Sequence, residues 1–142
     1  MEPKYAIIAF IVIGGILVFY GLISSNSSGF NEKGWYSFDE GMKKAKEENK
    51  EVLVFVTLPT CVWCERMKKE TFSDKDVMKR LEAKYVPVLV DASKDSAINK
   101  IAPLFGGDIS TPAFVIYSPD GKPIDGWVGY LSKEEFIKRV GI

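Results

Sequence analysis

Apolar and polar residues follow one another along the chain in a pattern that predicts a mixed α/β domain. Residues 52–57 and 86–90 are almost continuously apolar, as is typical of strands buried on both faces. Pro87 is expected at the start of the second of these strands, or where that strand needs no ladder donor. Residues 113–117 and 124–128 flank a turn and predict a hairpin. With helices between them, the strands predict the order α-β-α-β-α-β-β-α, a mixed sheet of four strands flanked by helices.

Residues typical of helix ends predict where the helices begin and end. Residues 37–40 and 132–135 each match a capping box, in which the first and fourth residues bond each other's backbone N–H. Gly106 ends another helix, which Pro103 would kink or shorten. The predicted helices cover residues 37–49, residues 61–85 with a restart or kink at 73–76, residues 97–105 and residues 132–140.

Residues 5–23 carry no charge and predict a membrane-spanning helix, so residues 1–23 are assigned to an N-terminal anchor. A cleaved signal peptide is the competing interpretation, but its apolar region is typically about 7–15 residues long. Lys4 precedes the run, and the next basic residue is Lys33. The positive-inside rule therefore predicts a cytoplasmic N-terminus and an extracytoplasmic domain.

Residues 24–34 are rich in Ser, Asn and Gly and predict a flexible linker. The folded domain is then expected to cover residues 35–142, a length suited to a single domain. Lys and Arg total 19 and Asp and Glu total 19, so no net charge attracts a polyanion. We therefore expect no nucleic-acid partner.

Cys61 and Cys64 are the only cysteines of the chain, and they lie between an apolar strand and a predicted helix. Positions i and i+3 of a helix are neighbours, and a disulfide tolerates about 4.4–6.8 Å between its Cα atoms. Cys61 would lie at the positive end of the helix, which favours thiolate over thiol. Cys64 would be more shielded and suited to resolving a mixed disulfide. The pair predicts redox chemistry through its own disulfide, with no other cofactor.

Other uses of two cysteines are less consistent with the sequence. Structural zinc normally needs four Cys or His ligands, and the chain has no histidine. Covalent haem attachment needs His after the second cysteine, where Glu65 stands. A purely structural disulfide would close a ring of only four residues, which constrains the unfolded chain little. A two-thiolate Cu(I) site stays open as an alternative.

The region from Trp35 to Ile142 resembles the thioredoxin-fold thiol:disulfide oxidoreductases. The resemblance rests on the strand–Cys-x-x-Cys–helix order, on Thr111-Pro112 before an apolar strand, and on residues 128–129 before the last capped helix. Within that superfamily, residues 61–65 and 70–74 are similar to the C-terminal extracytoplasmic domain of DsbD and to related membrane-anchored thioredoxin-like proteins.

The resemblance implies that the Thr111–Pro112 bond is cis and lies against the disulfide, where Thr111 would offer backbone hydrogen bonds to an extended substrate. Trp63 is interpreted as an exposed lip of the same substrate groove, although its place in the chain also fits a core residue. Cys61 and Cys64 would be the catalytic pair, and Trp63, Thr111 and Pro112 would bind substrate.

The chain departs from the family pattern at three places. Thr60 stands where thioredoxins often have Trp, and Val62-Trp63 replaces the common Gly-Pro between the cysteines. Phe55 occupies the strand position that carries a buried acid in many relatives. That acid is thought to help protonate the second sulfur, so its loss leaves the proton route open. Glu65 is adjacent to the pair, but the sequence does not give its direction.

The sequence therefore predicts a membrane-anchored enzyme that reduces protein disulfides, or relays electrons, outside the cytoplasm. Its expected partners are disulfide-bearing extracytoplasmic proteins and a membrane electron donor such as a DsbD-like carrier. No charged residue lies between the cysteines to stabilise the thiolate, which favours reduction over oxidation. The alternatives are a disulfide oxidase or isomerase, and a non-catalytic binding module that acts as a chaperone or Cu(I) carrier.

Overall fold

The computed structural model describes residues 32–142, whose four strands form one mixed sheet in the order β2-β1-β3-β4. β1 pairs in parallel with β2 and antiparallel with β3, and β4 completes the hairpin at one edge. The four-stranded mixed sheet predicted from the sequence is confirmed. The strands are β1 at Glu51–Thr57, β2 at Tyr85–Asp91, β3 at Ala113–Tyr117 and β4 at Pro123–Val128.

The described part of the chain also contains five α-helices and three turns of other helical types. The helices are α1 at Phe38–Glu48, α2 at Val62–Met67, α3 at Lys75–Lys84, α4 at Ile98–Ile101 and α5 at Lys133–Val140. α2 continues into a π-helical turn at Lys68–Phe72, α4 continues into a 3-10 turn at Ala102–Phe105, and a further 3-10 turn covers Glu32–Gly34.

Alternation along β1 divides the core into two layers, because successive side chains of a strand point to opposite faces. Leu53 and Phe55 face a layer that contains Cys64, Met67 and Phe136. The intervening valines of β1 face the other layer, which contains Phe38 and Ala45 of α1 and Ile101 of α4. All residues of β1 after Glu51 are buried, as predicted for a strand covered on both faces.

Pro87 lies in the middle of β2, where its missing N–H costs no ladder bond. Tyr36 forms a short parallel bridge along the outer edge of β2. Its N–H donates to the carbonyl of Pro87 at 2.9 Å, and its carbonyl accepts from the N–H of Leu89 at 3.1 Å. No donor is therefore required of Pro87 itself, and the expectation for this residue is confirmed.

Two predicted helices differ in detail from those of the structure. The helix predicted over residues 97–105 is α-helical only at Ile98–Ile101 and narrows to a 3-10 turn, since Pro103 cannot donate an α-helical bond. The helix predicted to run to residue 85 ends at Lys84, and Tyr85 begins β2.

The capping box of Ser132 has both of its bonds, whereas Ser37 accepts from the Glu40 N–H at 3.4 Å as an N-cap.

No helix within residues 32–142 is long and apolar enough to span a membrane. The predicted anchor at residues 1–23 lies outside the described residues, as does most of the predicted linker at residues 24–34.

Gly41 lies where α1 packs tightly against β2. A Cβ atom built on Gly41 would lie 2.1 Å from Cγ2 of Val88, a fully buried residue of β2. Gly41→Ala gains about 1 kcal/mol of helix propensity. Overpacking a core commonly costs about 1–3 kcal/mol, and Val is stiff at χ1. We expect the steric cost to dominate and the free energy of unfolding to fall, as measured by urea denaturation.

A second substitution, at Val88, tests whether the loss of stability comes from the contact between these two residues. Val88→Ala removes the methyl group that the new Cβ would meet, so G41A should be less harmful in that background. A double-mutant cycle should give a coupling of about 1 kcal/mol or more. Additive effects of the two substitutions would show that the helix shifts away from the sheet without strain.

Candidate redox-active site

Cys61 and Cys64 form a disulfide at the start of α2, with Cα atoms 5.2 Å apart. Cys61 is the N-cap residue of the helix, and its Sγ accepts a hydrogen bond from the Cys64 N–H at 3.1 Å. The predicted position of Cys61 at the helix end is confirmed. Its sulfur therefore lies where the first backbone N–H groups of the helix favour negative charge.

The two sulfurs differ in exposure. Cys61 is half-buried, whereas Cys64 is fully buried within the aromatic layer of the core. A partner disulfide can therefore approach Cys61 more readily than Cys64. This asymmetry suits Cys61 to nucleophilic attack and Cys64 to resolution from inside the protein.

The loop before β3 lies at the same end of the sheet as the disulfide. Ala113 pairs with Val56, one residue before the end of β1, and Cys61 follows that end by a short turn. The Thr111–Pro112 bond is cis, as the family resemblance implied. Pro112 is buried and Thr111 is half-buried. Both residues thus lie at the disulfide end of the sheet, although no described hydrogen bond joins them to the cysteines.

Trp63 lies between the cysteines with 51% of its surface exposed, and Val62 is 70% exposed. These values exclude the interpretation of Trp63 as a core residue. Its ring centroid lies 5.2 Å from that of Tyr130. Tyr130 follows Gly129, whose N–H donates to the carbonyl of Pro112 at 2.8 Å. The exposed ring of Trp63 is thereby placed beside the loop that carries Thr111 and Pro112.

Three residues at or near Trp63 had no role assigned from the sequence: Arg66, Glu70 and Tyr130. The guanidinium of Arg66 lies 5.0 Å from the Trp63 ring centroid and 4.8 Å from that of Tyr130. Glu70 accepts from Arg66 Nη2 at 2.8 Å and from the Tyr130 hydroxyl at 2.8 Å. The i,i+4 spacing of Arg66 and Glu70 could have indicated their ion pair. The contact with Tyr130 spans 60 residues and needed the fold.

The shared hydrogen bonds move the pKa values of Glu70 and Tyr130 further from neutral pH. The hydrogen bond from Arg66, followed by that from Tyr130, lowers the pKa of Glu70. The hydrogen bond to the Glu70 carboxylate raises the pKa of Tyr130. The same carboxylate raises the pKa of Arg66. The three groups thus hold the protonation states that their hydrogen bonds require.

Phe55 fills the position of the buried acid with an aromatic ring. Its centroid lies 5.2 Å from Phe114, 5.0 Å from Phe72 and 5.9 Å from Trp35. Thr57, two residues nearer the disulfide on the same face of β1, has a buried hydroxyl without a hydrogen-bond partner in the described structure. Apolar rings and this hydroxyl therefore replace the carboxylate of many relatives.

Glu65 points away from the buried thiol. Its side chain is 60% exposed and forms an ion pair with Lys68 at 3.2 Å. The direction that the sequence left open is therefore outward, and Glu65 offers no direct proton path to Cys64.

Two cavities of the described structure lie away from the disulfide. A cavity of about 350 Å³ lies near Tyr36 and Pro87, and one of about 330 Å³ lies between Phe105 and β4. Neither cavity is lined by a cysteine. Within residues 32–142, no three Cys, His, Asp or Glu side chains cluster as a metal site. The arrangement suits a redox reaction with another protein's disulfide.

A half-exposed cysteine at a helix N-terminus, a buried partner and a cis-proline loop at the same end of a four-stranded mixed sheet define a thioredoxin-fold dithiol/disulfide site. The chain belongs to the thioredoxin-like domain family, whose model matches residues 38–141. Proteins with this fold use the disulfide itself rather than a separate cofactor.

Two individual relatives align with this chain over two thirds or more of its length. An uncharacterised protein of Archaeoglobus fulgidus is 35% identical over 95 residues, which cover 67% of this chain and 71% of that protein. Spermatogenesis-associated protein 20 of mouse is 30% identical over 117 residues, which cover 79% of this chain but only 15% of that protein.

Solved structures show the same fold. A thioredoxin from Thermus thermophilus superposes with a TM-score of 0.65 at 24% identity, covering 75% of this chain and 83% of that one. The reduced C-terminal domain of Neisseria meningitidis DsbD superposes with a TM-score of 0.59 at 17% identity, covering 72% of this chain and 90% of that one. The predicted resemblance to these domains is thus confirmed at the level of the fold.

Proposed function

We propose that this protein is a membrane-anchored, extracytoplasmic thiol:disulfide oxidoreductase that reduces disulfides in other proteins or relays electrons to them. The observation that supports this proposal most directly is the asymmetry of the cysteine pair. Half-buried Cys61 lies at the helix N-terminus, and Cys64 is fully buried behind it. The exposed side chains of Val62 and Trp63 between the cysteines suit contact with a macromolecular substrate.

The reaction conserves atoms and electrons as follows. In the reduced protein, the Cys61 thiolate attacks one sulfur of the substrate disulfide and releases the other sulfur as a thiolate. Cys64 then gives up its proton and attacks Sγ of Cys61, which breaks the mixed disulfide and frees the second substrate thiolate. Two electrons pass to the substrate, and the protein is left as the Cys61–Cys64 disulfide. A membrane dithiol carrier of the DsbD type would restore the dithiol.

The groups near Cys61 support reduction of the substrate as the proposed direction of electron flow. Val62 and Trp63 place no charge between the cysteines, and the charge of neighbouring Arg66 is paired with Glu70 at 2.8 Å. A weakly stabilised thiolate gives a reducing pair. A strong oxidase would instead need an unusually stable reduced form.

Two assays test this function. The full-length reduced protein should precipitate insulin by reducing its disulfides, and its equilibrium with glutathione should give a potential below about −230 mV, on the reducing side of glutaredoxins. A potential near −120 mV would identify an oxidant. Insulin left intact, together with tight Cu(I) binding by the dithiol, would favour the binding-module alternative.

The membrane anchor is tested by fractionation. The uncharged run at residues 5–23 should hold the protein in membranes washed with alkaline carbonate, and protease added to spheroplasts should digest the domain. Ile13→Lys with Leu17→Lys should release it, because each central lysine costs about 2.5–3.5 kcal/mol of insertion free energy. A soluble form lacking the first ~25 residues would establish a cleaved signal peptide instead.

A further inference from the structure

Four side chains form an ordered surface beside the disulfide, which we name the aromatic rim: Trp63, Arg66, Glu70 and Tyr130. Arg66 lies within 5.0 Å of both aromatic ring centroids, and the two rings lie 5.2 Å apart. Glu70 accepts one bond from the cation and one from the tyrosine hydroxyl. One carboxylate thus fixes the two groups against which Trp63 packs.

The rim joins two parts of the site that are distant along the chain. Trp63, Arg66 and Glu70 belong to the cysteine helix and its π-helical continuation. Tyr130 belongs to the loop after β4, next to Gly129, which holds the Pro112 carbonyl at 2.8 Å. The bond between Tyr130 and Glu70 therefore fixes the distance between the cysteine helix and the loop that supports Pro112.

We propose that Glu70 is a positioning residue for protein substrates, which ties Arg66 and Tyr130 together and so sets the shape of the surface that a substrate chain meets beside Cys61. This inference rests on the proposed oxidoreductase function. It assigns the recognition of macromolecular disulfides to the rim, while a small disulfide needs access only to the Cys61 sulfur.

A purely stabilising role explains the arrangement less well. The side chains of Arg66 and Glu70 are 47% and 36% exposed, and exposed ion pairs contribute little to folding. Two charge-assisted hydrogen bonds to one carboxylate orient the groups that donate them, because each bond fixes the direction of its donor. The aromatic surface that they orient lies beside the reacting sulfur: Tyr130 packs partly against the core, whereas Trp63 is 51% exposed and faces outward.

The chain offers a matched control at the opposite end of the sheet. Lys44 pairs with Glu48 at 3.1 Å with the same i,i+4 spacing, and its ammonium lies 5.4 Å from the Tyr36 ring centroid. Glu48→Ala therefore removes a similar exposed ion pair beside a tyrosine, before β1 rather than after it. Any effect common to both variants reflects general surface charge.

The test compares two substrates in single turnovers of the pre-reduced full-length protein, so no electron donor is required. The ratio of the second-order rate constant for insulin to that for Ellman's reagent is measured for each variant. Glu70→Ala should lower this ratio about tenfold, the size expected for losing a hydrogen bond to a charged group. The lower ratio should result from a higher half-saturating concentration of insulin. Glu70→Gln retains an acceptor for Tyr130 and should recover part of it.

A double-mutant cycle tests whether Glu70 acts through its hydrogen bond to Tyr130. Tyr130→Phe removes only the hydroxyl and should lower the same ratio, and the double variant with Glu70→Ala should be little worse than Glu70→Ala alone. Equal losses with both substrates, additive effects, or a ratio like that of Glu48→Ala would overturn the positioning role. A wild-type protein that reduces neither substrate would instead refute the proposed function.

Discussion

Cys61→Ser is expected to reduce insulin reduction to background, whereas Cys64→Ser should still attack substrates and accumulate mixed disulfides. Cys61 is the half-buried cysteine of the pair. It is the N-cap residue, and its Sγ accepts a hydrogen bond from the Cys64 N–H at 3.1 Å. A serine hydroxyl at that position is not ionised at neutral pH and cannot replace the attacking thiolate. Cys64 is fully buried, so its loss leaves the first step intact and removes the resolving group.

Non-reducing electrophoresis of the two variants after incubation with insulin measures this difference. Covalent adducts should appear with Cys64→Ser and disappear on treatment with dithiothreitol. The double variant, which lacks both sulfurs, is the control for non-covalent association. Iodoacetamide should label Cys61 of the reduced wild type faster than Cys64, and the opposite order would reverse the two roles.

The strands and the cysteine helix could be predicted because their signals are local. A continuously apolar run predicts a strand covered on both faces, and β1 extends the predicted residues 52–57 by only Glu51. The N-cap position of Cys61 follows from a strand, a turn and a helix in immediate succession. Such signals need no knowledge of distant residues.

The aromatic rim and the π-helical turn could not be predicted in the same way. Tyr130 reaches Glu70 only because the sheet order brings the loop after β4 to the cysteine helix. The turn at Lys68–Phe72 follows α2 without a break in polarity, so the apolar pattern does not distinguish a π-helical from an α-helical turn. The rim depends on a contact across 60 residues, which no local pattern of the sequence can show.

The environment of Phe55 also required the structure. The sequence showed that an acid is replaced, but only the fold shows the ring stacked on Phe114 at an interplanar angle of 11° and enclosed by Phe72 and Trp35. The side chain is fully buried. This chain has therefore adapted the space behind Cys64 to aromatic packing, in a position where many relatives are expected to carry a carboxyl group.

Restoring an acid at this position is expected to destabilise the domain severely at neutral pH. Removing a buried Phe ring typically costs about 3–5 kcal/mol of unfolding free energy, and a buried carboxylate adds a desolvation penalty. Phe55→Leu, which retains an apolar side chain, should cost only about 1–2 kcal/mol. Phe55→Asn is the matched control for Phe55→Asp, since the two are nearly equal in size but only Asp can ionise.

The difference between Asp and Asn should depend on pH with a defined sign. Burial among aromatic rings would raise the folded-state pKa of the new carboxyl above its unfolded value of about 3.9, because desolvation penalises the charged form. Below about pH 4 the Asp is neutral in both states, and the two variants should unfold at similar urea concentrations. As the pH rises from there towards the raised pKa, the unfolded state alone ionises, and Phe55→Asp should lose about 1.4 kcal/mol per unit of pKa shift relative to Phe55→Asn. Equal stability of the two variants at pH 7 would show that water reaches this position and that the aromatic layer does not exclude a charge.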